Sequence, residues 1–119
     1  MNKSDSWTSI CKLQDIAPNT GVCAKFENQQ VALFHIQSKS LHGQSQIRAI
    51  SNYDPYSQAN VLSRGLITEH DKRYYVASPL LKQQFCLETG HTNQDDDICI
   101  PTFSTRVDKG IVQIRTGMP

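Results

Sequence analysis

Helical periodicity is nearly absent from this chain, and short strand-like segments recur in its place. Runs rich in valine, isoleucine, phenylalanine and tyrosine are bounded each time by asparagine, aspartate, glycine or proline, which is the pattern of short antiparallel strands joined by turns. Residues 21–26 (GVCAKF) and 30–36 (QVALFHI) flank Glu27-Asn28-Gln29, which reads as a hairpin. Residues 46–51 (QIRAIS) set Ile47, Ala49 and Ser51 against Gln46, Arg48 and Ile50, a weaker strand. Residues 66–70 and 73–78 surround Asp71-Lys72, a two-residue connection, and residues 84–90 form a strand running into a glycine turn. Residues 102–107 and 111–115 flank Asp108-Lys109-Gly110, read as a three-residue loop with glycine where a positive φ is needed. About eight or nine such strands without a long helix predict an all-β fold, a sandwich or small barrel.

A chain of 119 residues is long enough for one real core and too short for two domains. It shows no repeats and no linker, so residues 1–119 are expected to form one unit. Twelve lysines and arginines face eleven aspartates and glutamates, a net charge of +1. No basic run breaks that balance along the sequence, so a nucleic-acid partner is not indicated. The apolar runs are too short to span a membrane. The polar opening, Met1 to Trp7, lacks the apolar centre of a signal peptide, and the expected location is the cytoplasm.

Cys11, Cys23, Cys86 and Cys99 are widely spaced and each adjoins an aliphatic or aromatic residue. They read as buried, reduced cysteines rather than zinc ligands. His35, His42, His70 and His91 are equally dispersed, and the aspartate run in 91–99 lacks the spacing of a calcium loop.

Residues 51–60 (SNYDPYSQAN) stand apart, with turn chemistry, two tyrosines and no apolar run. A second such stretch follows the hairpin at 66–77, from Ser78-Pro79-Leu80-Leu81 through Phe85, Leu87 and Gly90. Together with Leu62-Ser63-Arg64-Gly65, these stretches resemble the two cluster-binding loops of a Rieske iron–sulfur domain, over about residues 51–85. Such a domain holds its cluster through two cysteines and two histidines. By the resemblance Asp54 and Ser78 stand in the cysteine positions, and Tyr56 and Leu81 in the histidine positions. The prolines, Pro55 and Pro79, are kept. A fold without cluster, metal or other cofactor of its own is expected, with Asp54 capping a turn.

Over Trp7 to Arg115 the chain resembles the small subunit of the bacterial cytoplasmic NAD(P)H-dependent nitrite reductase. The resemblance is carried by Trp7-x-x-Ile10-Cys11, Thr20-Gly21-Val22-Cys23-Ala24, Ala49-Ile50-Ser51-Asn52-x-Asp54-Pro55, Val61 to Ile67, and Arg106-Val107-x-x-Gly110. It implies a partner, a large subunit carrying FAD, an iron–sulfur cluster and siroheme, which reduces nitrite to ammonium. The small chain itself would be non-catalytic, since no nucleophile–base pair or dinucleotide loop is present. Its tip would dock on the partner through Tyr56, Arg64, Pro79, Leu80, Leu81 and Lys82. Leu81 and Tyr56 have a second expectation, that they turn inward and fill the volume of the lost cluster. Two alternatives remain at this stage: a Rieske-type ferredoxin carrying electrons, and an adaptor unrelated to nitrite.

Overall fold

A computed structural model describes residues 6–38, 41–42, 44–80, 82–92 and 98–115. Eleven strands appear in chain order: β1 (Thr8–Lys12), β2 (Thr20–Phe26), β3 (Gln29–Gln37), β4 (Ser45–Ser51), β5 (Tyr53–Asp54), β6 (Ala59–Asn60), β7 (Leu66–His70), β8 (Arg73–Ala77), β9 (Gln84–Cys86), β10 (Thr102–Asp108) and β11 (Ile111–Arg115). Six of them form one antiparallel sheet in the order β1-β11-β10-β4-β3-β2, while β5-β6 form a ribbon and β7-β8-β9 a three-stranded sheet. Helical structure in the described residues comprises short 3-10 turns, among them Leu13–Asp15 and Leu62–Arg64.

Strand β3 organises the molecule. Its run Val31-Ala32-Leu33-Phe34-His35-Ile36 is buried on both faces, as expected of a near-continuous apolar strand with layers on either side. Val31 and Leu33 face one core with Ile47, Ala49, Phe103, Val112 and Ile114. Ala32, Phe34 and Ile36 face the other, with Ile50, Leu62, Val76, Phe85 and Leu87. The second core is the seam between the six-stranded sheet and the three-stranded one, and the two predicted loops lie at one end of it.

The hairpins follow from turn chemistry. Glu27 and Asn28, Asp71 and Lys72, and Lys109 and Gly110 all have positive φ between 50° and 82°. Positive φ at both central residues is the signature of type I′ connections, which match the twist of the strands they join. The last of these loops has two residues and not the expected three, because Asp108 still pairs with Ile111. Three further differences from expectation concern strands. β1 has a mostly polar sequence and is held at the sheet edge by pairing with β11. The β5-β6 ribbon falls inside the stretch expected to be a loop. The expected strand at 84–90 ends at Cys86, and part of the acidic loop, residues 93–97, lies outside the described residues.

His35 is buried with both ring nitrogens engaged. Nδ1 lies 2.7 Å from the carbonyl of Ile16 and Nε2 2.7 Å from the hydroxyl of Ser45. A carbonyl only accepts, so Nδ1 carries the proton. This histidine fastens the Ile16 segment to the first core and is structural.

Candidate functional site

Asp54 is fully buried. Strand alternation in the ribbon sends Tyr53 outward, 43% exposed, and Asp54 inward. Three donors reach its carboxyl group. Ser57 Oγ donates at 2.8 Å, the Tyr56 backbone N–H at 2.9 Å, and Ser78 Oγ, from the second loop, at 2.6 Å. The first two bonds make the turn cap anticipated for Asp54. The third joins the two loops, and it connects the two residues that the sequence resemblance sets in the cysteine positions of a Rieske centre.

Each loop is also closed on itself. The Gln58 N–H donates to the Asp54 carbonyl at 2.8 Å. The Ser78 N–H donates to the carbonyl of Gln83 at 2.8 Å, and the Lys82 N–H to that of Ser78 at 3.1 Å. Gln58 and Lys82 both adopt positive φ. One anchoring residue had no signal in spacing or periodicity. Asn52, which is buried, donates from Nδ2 to Gln30 Oε1 at 3.0 Å and accepts the Ser63 N–H on Oδ1 at 2.7 Å. It thereby fixes the start of the first loop to β3 and to the Leu62–Arg64 turn.

The ring of Tyr56 turns inward. It packs against the second core, with its centroid 6.1 Å from that of Phe85, and its hydroxyl is buried with no hydrogen-bond partner among the described residues. Arg64, Pro79, Leu80 and Lys82 are exposed; Leu81 lies outside the described residues. Leu66 is 72% exposed and Leu80 56%. Leu66 pairs with Ala77, the residue before Ser78. Leu66, Leu80 and Tyr53 therefore all belong to or adjoin the two loops, and of these only Leu80 was singled out by sequence.

A [2Fe–2S] centre of the Rieske type needs two thiolates and two imidazoles. The described residues that the resemblance sets in the ligand positions offer a carboxyl group already holding three hydrogen bonds, a hydroxyl already donating to it, and a phenol packed into the core. These residues do not fit the cluster. Among the described residues no group of three or more His, Cys, Asp and Glu side chains is placed to hold a metal ion.

The cysteines differ from expectation in one respect. All four are free thiols, but Cys23 and Cys99 are exposed, Cys11 is half-buried and only Cys86 is in the core. Burial, and then the charge of Asp15, pushes the Cys11 thiol up from its ordinary value, so it is the protonated, poorly nucleophilic form that predominates. Ser78 stands apart from His70 and Asp71, its near neighbours in sequence. Those two sit at the turn end of the β7-β8 hairpin, where His70 pairs with Arg73. Ser78 follows the opposite end of β8, about 15 Å away at strand rise.

The fold and the two facing loops define a Rieske-like domain, and the family model for the Rieske-like [2Fe-2S] domain matches residues 6–115. Within that class the chain belongs to the family of nitrite reductase (NADH) small subunits. It is 47% identical over 109 residues to the nitrite reductase (NADH) small subunit of Salmonella typhimurium, covering 92% of this chain and 96% of that one. The NMR structure of the E. coli protein NirD is 44% identical and superposes with a TM-score of 0.83, covering 95% of this chain and 98% of that one. A third relative is the nitrite reductase [NAD(P)H] large subunit of Klebsiella oxytoca. It is 32% identical over 111 residues, which is 93% of this chain but 11% of that protein.

Proposed function

We propose that this chain is a docking subunit of an NAD(P)H-dependent nitrite reductase and supplies no reacting group itself. One observation carries the reading: in Klebsiella oxytoca a segment matching nearly the whole chain is part of a large-subunit polypeptide. Two units that occur in one polypeptide work at the same place, and in a separate chain non-covalent contact takes over from the covalent link. Hydride capture from NAD(P)H and the six-electron reduction of nitrite to ammonium then belong to the partner, with its FAD, iron–sulfur cluster and siroheme. The working location is the cytoplasm, where NAD(P)H is available; no helix among the described residues is long and apolar enough to cross a membrane.

The loop tip is the contact surface on this reading. Leu80, Leu66 and Tyr53 give it apolar area, and Arg64, Pro79 and Lys82 are exposed on or beside the same loops. Exposed apolar side chains on or beside the same loops, with polar residues among them, are the composition of a protein interface. Tyr56 supports the tip from beneath through Phe85. The test is binding of the purified large subunit to the wild-type chain and to Leu80→Asp. Association is expected for the wild type and at least tenfold weaker association for the variant. The melting temperature should hardly move, since an exposed substitution changes stability by only about 0.5 kcal/mol. Undiminished binding by Leu80→Asp would remove the tip from the interface.

A further inference from the structure

We infer that a second face of this chain, a cationic strip built around Trp7, binds a carboxylate-rich surface of the reductase large subunit. The strip is assembled by strand register. Arg106 pairs with Gln113 and Ser104 with Arg115 across β10 and β11, and Gln113 pairs with Ser9 of β1. Thr102 pairs with Ile50 of β4. Directly paired residues share a face, as do residues two apart on one strand. Trp7, Arg106, Arg115 and Arg48 therefore lie on one face of the six-stranded sheet. The half of that face toward β3 is covered by the three-stranded sheet over Phe34 and Ile50. The half bearing Trp7 is not covered by it.

The cations are held in place. The guanidinium of Arg106 lies 4.6 Å from the indole centroid of Trp7, and that of Arg115 lies 4.5 Å from it. Arg106 Nε donates to Gln113 Oε1 at 2.6 Å, and Gln113 Nε2 donates to Ser9 Oγ at 3.0 Å. A guanidinium stacked on an aromatic ring can still turn its terminal N–H groups to a carboxylate; here the Nε of Arg106 is taken up by Gln113 and that of Arg115 is buried. Arg48 links this strip to the seam between the sheets. It lines a hollow of about 360 Å³ with Trp7 and Arg115, and another of about 250 Å³ with Lys72 and Arg73. Both are at or below the small end of ligand pockets, roughly 300–1,000 Å³, so protein side chains suit them better than a cofactor. Among the described residues the opposing acids are few. Glu88 lies 3.8 Å from Arg48, and Asp108 follows Arg106 two residues on along the same face of β10.

The Klebsiella relative supplies the occupant. Its matching segment is 11% of a longer polypeptide, so at least one end of that segment runs on into the rest of the reductase. In the present fold both ends of the matched domain emerge together, because Thr8 pairs with Ile114. Whichever end continues, the remainder of that polypeptide begins beside Trp7 and Arg115. The strip is also distinct from the loop tip. β4 runs from Gln46 at the basic seam to Ser51 ahead of the first loop, a span of about 17 Å at strand rise.

The inference rests on the docking function proposed above, and its test separates the two. Binding of the large subunit would be titrated from low to high sodium chloride with the wild type, Arg106→Glu, Arg115→Gln and Lys25→Glu. Lys25 lies on β2, at the other edge of the sheet, and its reversal changes net charge as much as that of Arg106. Arg106→Glu is expected to weaken binding tenfold or more, and Arg115→Gln to flatten the salt dependence, with melting temperatures verifying that both fold. Lys25→Glu should bind within twofold of the wild type. Binding of Arg106→Glu within twofold of the wild type, or equal weakening by Lys25→Glu, overturns the cationic strip alone. No association of the wild-type chain at any salt concentration overturns the docking function and the strip together.

Discussion

Asp54 and Ser78 close the tip with a 2.6 Å hydrogen bond between side chains 24 residues apart. Both are buried, at 0% and 1% exposure, so water does not reach the pair to replace a lost partner. Removing the Ser78 hydroxyl leaves a buried carboxyl group short of one donor, which costs about 2 kcal/mol. Ser78→Ala should therefore unfold at clearly lower urea concentration than the wild type. Ser57→Ala, at a partly exposed position, should lose less because water can take the place of its hydroxyl. Equal losses would mean that the inter-loop bond has no special weight. The two positions themselves were legible in the sequence through the loop resemblance. Their mutual bond was not, because a hydrogen bond between distant residues leaves no mark in local spacing. The same holds for the tyrosines: sequence left Tyr56 with two expectations, and it is the fold that turns Tyr53 out through the ribbon and packs Tyr56 on Phe85.

At the scale of elements, the strands with strong alternation or β-branched content and turn residues at both ends were legible within a residue or two. Those include β2, β3, β4, β7, β8, β10 and β11. The missed ones, β1, β5 and β6, are short and polar and are held by their neighbours rather than by propensity. The Leu62–Arg64 turn shows how close the elements come. A Cβ built on Gly65 would meet the Ala77 carbonyl oxygen at 2.3 Å and Val76 Cγ2 at 2.6 Å. The carbonyl belongs to a paired strand and cannot withdraw. Gly65 has φ near −76°, so the requirement there is space and not backbone freedom. Gly65→Ala is expected to cost about 1–3 kcal/mol, read as a fall in melting temperature. An unchanged melting temperature would show that β8 can yield at Ala77.

For the whole molecule, β3 makes the two cores interdependent. Its odd residues pack into one and its even residues into the other, so neither core survives without that strand. Native-state hydrogen exchange should find the slowest amides in β3, and thermal unfolding should be a single transition by both far-UV and near-UV signals. Two separated transitions would mean that the three-stranded sheet melts on its own. At this scale the sequence is least informative about charge. Its basic residues are scattered along the chain, and antiparallel pairing between β4, β10 and β11 places Arg48 on the same face as Arg106 and Arg115 despite more than fifty intervening positions in each case.

The side-chain bond across the tip also bears on how such a subunit matures. In a Rieske centre the two loops are joined through iron and sulfide held by two cysteines and two histidines, which must be delivered separately from the chain. Here the clamp between the loops is a hydroxyl and a carboxyl group translated with the chain. The join between the two loops therefore forms as the chain folds, and that bond itself needs no delivered metal.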